Sequence, residues 1–365
     1  MGEGGFQRVQ VLSRGNGAGL SRDLALVTGV LREAGCAVTV TERSHRAGPA
    51  TRLGRFARRS LAYVGSQLTG HRRPPYDINL MLERIYPECF RQARHNVLIP
   101  NPEWLRPQWW RYLASFDLVL AKTRHAEPLF QPFGCPVQWV GFSSPDHLDT
   151  AVPRRNTFLH MPGRSNNKGT RQLLDLWMRH PEWPPLTLVW RSRNAHATPL
   201  PPNVHLIDTF QDEHSLRRLQ NRHRFHLCPS RTEGYGHYIA EAMGVGAVVI
   251  TTDAEPMNEL VNAERGVLVP ARADGTQALA TLYDFDDTAM EAAITRCMHM
   301  DEAEAGALGA RARDWFERNA EAFPARLLTS LRRTVCGRSV ADTTLPAQGD
   351  AVAAPPVPAD RRSGS

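Results

Sequence analysis

Lysine is nearly missing from this chain: of 44 basic residues only Lys122 and Lys168 are lysines, and the rest are arginine. A bias of that kind follows genome composition more than function. Long apolar runs are missing too; none approaches the ~20 residues that span a bilayer as a helix. The start, Met1-Gly-Glu-Gly-Gly-Phe6, lacks the basic-then-apolar pattern of a secretion signal. The expected location is therefore cytoplasmic. Cysteines at 36, 89, 135, 228, 297 and 336 are scattered, with no CxxC pair, which excludes a disulfide framework and a zinc site and leaves buried thiols. Acids are absent from 43–76, where eight arginines occur. No internal repeat is present.

What is there is enough for two ordinary domains: 365 residues, 42% of them apolar. The net charge of +7 favours phosphates, an anionic membrane or an acidic acceptor as partners. Residues 8–13 alternate like a strand, a glycine-rich loop follows at 14–21, and a helical pattern over 22–33 leads through Gly35 to a second strand at 37–40. In this β-loop-α-β unit Gly17 and Gly19 either face a ligand cleft or serve close strand-to-helix packing. Between 52 and 68, Leu53, Phe56, Leu61, Val64 and Leu68 share one helical face and Arg52, Arg55, Arg58 and Arg59 the other. That is a basic amphipathic helix, read either as a cover over the first sheet or as a peripheral membrane contact at the inner face. The same arginines are the only support for nucleic-acid binding. No aromatic-stacking motif accompanies them, so no nucleic-acid partner is expected.

Buried-strand runs at 77–82, 96–99, 117–121 and 137–140 fill out a first parallel sheet. Their ends put Glu83, Asn101, Glu103 and the Lys122–His125 segment on one rim, since strand ends on one edge of a parallel sheet build ligand sites. Residues 147–155 lack a core pattern and read as a hinge. A second series of strands follows at 157–160, 186–190, 204–207, 225–228, 247–250 and, as the last strand, 266–269. Between the fourth and fifth of these runs Ser230-Arg-Thr-Glu-Gly-Tyr-Gly-His-Tyr-Ile-Ala-Glu241. Gly234 and Gly236 allow a sharp turn, and the N–H groups at the helix start near Gly236, His237 and Tyr238 favour an anion. Carboxylates on either side, Glu233 and Glu241, suit hydroxyl groups flanking a diphosphate, which is the layout of a nucleotide sugar.

Pro229-Ser-Arg-Thr-Glu-Gly-Tyr-Gly236, the Glu233/Glu241 pair with seven residues between, and Gly163-Arg-Ser-Asn-Asn-Lys-Gly169 resemble the donor half of the retaining GT-B glycosyltransferases that include sucrose synthases and mannosyltransferases (group 1 glycosyl transferases). Tyr235 stands where phenylalanine is usual. The resemblance implies an α/β fold of two Rossmann-like domains across a cleft: 1–148 for the acceptor, 149–335 for the donor, with a tail from 336 to 365 whose composition predicts disorder. It implies that Arg164 and Lys168 bind the donor diphosphate, that Glu241 holds the ribose and that Glu233 meets the sugar near the anomeric carbon. Gly234, Tyr235, Gly236 and His237 would line the phosphates, Asp208 and Thr209 the base, and Gly17 the cleft. Asn101, Glu103 and Glu83 fall on the acceptor or sugar side, in a region where relatives carry a histidine and this chain has Asn101-Pro-Glu-Trp104.

Sugar transfer is thus expected from a nucleotide-diphosphate sugar, as co-substrate rather than cofactor, to an acceptor the sequence does not name, with retention and without metal. A GT-B epimerase or hydrolase, or a regulatory protein that only binds the nucleotide sugar, stays open. Asp284-Phe-Asp-Asp287 has the Asp-x-Asp form of a metal motif but precedes a helical run, so helix capping explains it better. Two helices separated at Pro324 are expected over 302–334.

Overall fold

A computed structural model describes residues 6–14, 19–42, 74–191, 195 and 200–337. Glycines 15 and 17, the 52–68 helix and the tail beyond 337 lie outside them, so the readings for Gly17, the basic helix and tail disorder are not addressed.

Two sheets carry the chain. The first has six parallel strands in the order β2-β1-β3-β4-β5-β6: β1 Arg8–Ser13, β2 Ala37–Glu42, β3 Tyr76–Leu82, β4 Ala93–Ile99, β5 Leu118–Ala121 and β6 Val137–Trp139. Continuous apolar runs make these strands, as expected for a sheet covered on both faces; Ile78, Leu80, Met81 and Leu82 have no exposed surface. Helix α1, Gly19–Glu33, enters straight from the glycine-rich loop and packs Leu20, Val27 and Leu31 onto the sheet.

The second sheet has seven strands ordered β13-β12-β11-β10-β7-β8-β9. Its members are β7 Arg155–Gly163, β8 Leu186–Trp190, β9 Val204–Ile207, β10 His223–Cys228, β11 Val248–Asp253, β12 Val267–Gln277 and β13 Ala280–Phe285. All pairings are parallel except β12 with β13. Here the sequence reading needs correction. The strand beginning near 266 runs on to Gln277, and β13 follows it, so the expected last strand is one arm of a hairpin. The polar residues of 270–279 hid it, because one arm's outer half is exposed and carries no apolar signal.

Asp284 lies in β13, and Asp286 caps the next helix by accepting from the Ala289 N–H at 2.8 Å. Pro324 does not split a helix: one continuous helix runs Glu302–Val335 with Pro324 inside. Packing overrides the lost backbone bond, since Phe316, Phe323, Leu327 and Leu331 are all buried along it. This helix spans both halves. Gly309 meets Gly246 so closely that a Cβ on Gly309 would lie 2.2 Å from the Gly246 oxygen, and Phe316 packs on Gly244. Farther along, Asn319 and Arg326 reach the carbonyls of Phe142 and Val140 at the end of the first sheet.

Candidate active site

The carboxyl ends of the two sheets face each other, and the strand-end side chains meet between them. From the second half, β10 ends at Cys228 and turns through Pro229 and Ser230 into helix His237–Gly244, designated α5 here after helices Ala126–Phe130 (α2), Thr170–Arg179 (α3) and Glu213–Arg222 (α4). Gly236 caps α5 at φ +101°, a backbone state that suits glycine. Glu233 in this turn ion-pairs with Lys168 and accepts from the Ser230 hydroxyl. Ser230 Oγ lies 2.6 Å from the Tyr238 hydroxyl, and the Lys168 ammonium sits 4.1 Å from the centre of the Tyr238 ring. Lys168 comes from the loop after β7. Its neighbour Gly169 takes φ +63°, and a Cβ there would strike the Pro229 oxygen at 2.4 Å. Glycine at that position therefore lets the lysine loop press against the glutamate turn.

From the first half comes a chain of hydrogen bonds. Lys122, just past β5, donates to Asp23 Oδ2 at 2.5 Å and to Asn101 Oδ1 at 2.8 Å. Asn101 in turn donates to Glu83 Oε2 at 3.2 Å. Asp23 on α1 also accepts from His237 Nε2 at 2.7 Å, and Ser144 Oγ lies 2.8 Å from the other nitrogen of that ring. Burial alone would raise the Asp23 pKa, but Lys122 and His237 outweigh it and hold the carboxyl at about 2. The two halves also meet at Gly234, where an added Cβ would fall 2.3 Å from Asn101 Oδ1.

Two further acids sit on the first-half rim. Glu83 takes φ +63°, a strained state for a non-glycine residue of the sort that clusters at functional sites. Burial raises its pKa despite the Asn101 bond. Glu103, in the 3-10 turn Pro102–Trp104, is 7% exposed and its Oε2 has no hydrogen-bond partner. Burial, with the nearby Glu233 carboxylate adding to it, pushes its pKa up to about 7.

The β12–β13 hairpin reaches this rim from the other side. Gln277 donates to the Glu103 carbonyl at 3.0 Å and accepts from Asn167, in the lysine loop, at 2.9 Å. Leu279 packs into the first half's cluster with Leu105 and Leu113.

Glu241 is 1% exposed, accepts from Gln220 at 3.0 Å and pairs with Arg22 of α1 at 2.8 Å. The Arg22 contact is an ion pair whose geometry falls short of a hydrogen bond, since the same carboxylate oxygen counts as unbonded.

Of the residues singled out from sequence, Glu233, Lys168, Gly234, Gly236, His237, Asn101, Glu103 and Glu83 thus come together. Arg164 is exposed on the turn after β7 and makes no hydrogen bond or ion pair among the described residues. Tyr235 is buried behind the site, 5.5 Å from Phe142 between ring centres, and its hydroxyl accepts from Asn319. Asp208 and Thr209 follow edge strand β9; Thr209 accepts from Gln211. Arg22, Asp23 and Ser144 were missed. Asp23 had a signal: it falls on the apolar face of α1, between Leu20 and Val27, where a carboxylate is out of place unless paired. A cavity of about 360 Å³ lined by Val152, Arg155, Ile207, Arg218 and Arg222 lies at the opposite end of β7 and shares no residue with the site.

Residues 162–284 match the family model described as "Glycosyl transferases group 1". A curated relative, the GDP-mannose:cellobiosyl-diphosphopolyprenol alpha-mannosyltransferase of Xanthomonas oryzae pv. oryzae, is 31% identical over 164 residues, covering 40% of this chain. The chain spans under half of that relative, 43% of its length. Among solved structures, a glycosyltransferase from Rickettsia africae superposes with TM-score 0.67 at 15% identity, over 91% of this chain and 99% of its own. The sucrose-phosphate synthase of Thermosynechococcus elongatus gives 0.67 at 17%, over 91% and 100%. An E. coli protein bound with UDP-2-fluoro glucose gives 0.62 at 10%, over 90% and 99%. Together with the two parallel sheets, these likenesses establish the GT-B fold.

Proposed function

We propose that this chain, whose residues 162–284 match the family model of the group 1 glycosyl transferases, moves a sugar from a nucleotide-diphosphate sugar to an acceptor bound by the first half. The observation that carries this reading is the Lys168–Glu233 pair at the mouth of α5, directly against Asn101 of the facing half. A leaving diphosphate needs positive charge where its own charge develops. Lys168, once released from Glu233, and the α5 N-terminus supply that charge, and this supports transfer without a metal. Arg164, exposed nearby in sequence, is free to swing onto the diphosphate.

Glu233, already held by Lys168 and Ser230, is placed to meet the sugar hydroxyls once the ammonium turns to phosphate. Glu241 would exchange Arg22 for the ribose hydroxyls. Gly17, Asp208 and Thr209 would complete the nucleotide's surroundings. Glu103, with one unbonded carboxyl oxygen and close enough to feel the Glu233 charge, takes an acceptor or sugar hydroxyl.

We assign retention to the reaction on the resemblance. Double displacement needs two carboxyls about 5–5.5 Å apart flanking the reacting bond. Here Glu233 is engaged by Lys168, and a same-face attack with the leaving phosphate taking the proton accounts for the residues present.

The donor of the Xanthomonas relative is GDP-mannose, which makes a guanine nucleotide the first expectation. A thermal-shift panel of GDP-, UDP- and ADP-sugars tests the reading: one base class raises the melting temperature. No shift with any of the three sinks it. Product analysis without acceptor then separates transfer from its rivals, because free sugar formed at the full turnover rate marks a hydrolase and an altered nucleotide sugar an epimerase.

A further inference from the structure

Three guanidinium groups gather at the carboxyl edge of the first sheet, beside the site but outside it. Arg14 follows β1, Arg84 follows β3 one residue beyond Glu83, and Arg106 follows the 3-10 turn after β4. These strands are close in the sheet: β1 lies beside β3 with Leu12 opposite Met81, and β3 beside β4 with Leu82 opposite Ile99. The three arginines therefore share one rim.

They also feel one another. Burial first, then the charges of Arg14 and Arg106, lower the Arg84 pKa, while Tyr86 and Glu83 act the other way. None of the three makes an ion pair or a side-chain hydrogen bond among the described residues. Three like charges with only Glu83 opposing them still repel, and a multiply charged anion with oxygens for several guanidinium forks removes that repulsion.

Aromatic surface flanks them. The Arg84 guanidinium lies 5.6 Å from the centre of the Trp109 ring, and Trp104 is 49% exposed. An exposed tryptophan two residues before Arg106 suits a ligand with an anionic group and an apolar or sugar face. The patch connects to the reaction centre through Glu83, bonded to Asn101, which abuts Gly234.

We infer that Arg14, Arg84 and Arg106, with Trp104 and Trp109 beside them, form a binding site for a phosphate or diphosphate group carried by the acceptor. This inference rests on the proposed transfer reaction for the word acceptor. The anion site itself stands on the first half alone.

The full-length protein, first saturated with whichever nucleoside diphosphate stabilises it, would be titrated calorimetrically with inorganic pyrophosphate. One further equivalent is expected to bind. Arg106→Glu, at an exposed position that leaves packing intact, and Arg84→Ala combined with Arg106→Ala should each weaken that second event at least tenfold and leave the nucleoside diphosphate affinity as in the wild type. Lys168→Ala should do the reverse. Farnesyl diphosphate in place of pyrophosphate separates the sources: tenfold tighter binding marks a lipid-linked acceptor, equal binding a soluble phosphoester, and either supports the site. No second equivalent, or a second equivalent unmoved in Arg106→Glu, overturns the inference. Should no nucleotide bind at all, the proposed function fails, while pyrophosphate binding that Arg106→Glu removes and Lys168→Ala spares still upholds the anion site.

Discussion

The two sides of the cleft are built in opposite ways. On the second side Ser230, Glu233, Gly236, His237 and Tyr238 lie within one turn and the start of one helix, and only Lys168 comes from elsewhere. On the first side Asp23, Glu83, Asn101, Lys122 and Ser144 come from five separate places, each at a helix start or a strand end. A site made of contiguous residues advertises itself as a motif. A site assembled by topology shows only as isolated polar residues at the ends of apolar runs. The chain's only two lysines illustrate the contrast. Lys168 faces Glu233 in the turn, 15% exposed, whereas Lys122 is 3% exposed and locked to a buried carboxylate.

The largest expected effect sets those lysines against each other. Lys122→Ala strands Asp23, 4% exposed, with His237 as its remaining side-chain partner. Breaking a buried pair from one side costs on the order of 3–5 kcal/mol. Lys168→Ala should instead lower kcat by on the order of 10²–10³ and cost much less stability. Urea unfolding and initial transfer rates on both variants test this. Equal losses of stability would mean that the lysines are not of two kinds, and the comparison between the halves would fail with them.

How much could be read beforehand follows the same division. The strands of both parallel sheets were legible because burial on two faces forces unbroken apolar runs, as in Asp77-Ile-Asn-Leu-Met-Leu82. Glu233, Gly236 and Lys168 were legible because their chemistry is local. The β12–β13 hairpin was not, since Arg272, Ala273, Asp274 and Thr276 are exposed and carry no alternation of apolar residues. Pro324 looked like a break because local propensity says so; burial of Phe323 and Leu327 in the core, with Phe323 4.9 Å from the Phe142 ring centre, decides otherwise. Arg22, Asp23 and Ser144 become site residues only when two sheets face each other, which no window of sequence contains.

A second way to sharpen the comparison is pH. The first half buries a carboxyl, Glu103, whose pKa stands at about 7 against an ordinary 4.5. The folded state holds that proton when the unfolded state has lost it. Its contribution is therefore full below pH 4.5 and is lost as pH rises to about 7. At about 1.4 kcal/mol per unit this amounts to roughly 3 kcal/mol. The second half buries histidines instead: burial lowers His160 and His223 to about 4 and His226 to about 3, from 6.5. These act with the opposite sign over an overlapping range, since the unfolded state gains protons first, and stability falls as pH drops below 6.5 towards those values. Glu103→Gln should therefore show in the difference from wild type. The stability gap between the two proteins should change by roughly 3 kcal/mol between pH 4.5 and 7 and stay constant below pH 4.5, where of these groups only the histidines titrate; denaturant midpoints of both proteins at closely spaced pH values measure it. A gap that does not move between pH 4.5 and 7 would show that Glu103 is not held as a neutral acid.

The smallest effect is expected where the halves are laced together. Leu279 sits at the hairpin tip, half-buried against the first half's core, and its N–H donates to the Pro102 carbonyl at 3.2 Å. Pro102 and Glu103 share one short turn, and Gln277 holds the Glu103 carbonyl from the same hairpin. Truncating a half-buried leucine removes part of its transfer energy without opening a closed cavity, so Leu279→Ala should cost about 1 kcal/mol of stability. Its functional trace should fall on the first half alone. Glu103 loses a support, so the acceptor KM should rise a few-fold, while the KM for the donor, held by the turn at Glu233 and the loop at Lys168, stays where it was. A rise in donor KM of the same size would mean that the hairpin positions both sides equally, and that the division into a contiguous site and an assembled one does not extend to how they are held.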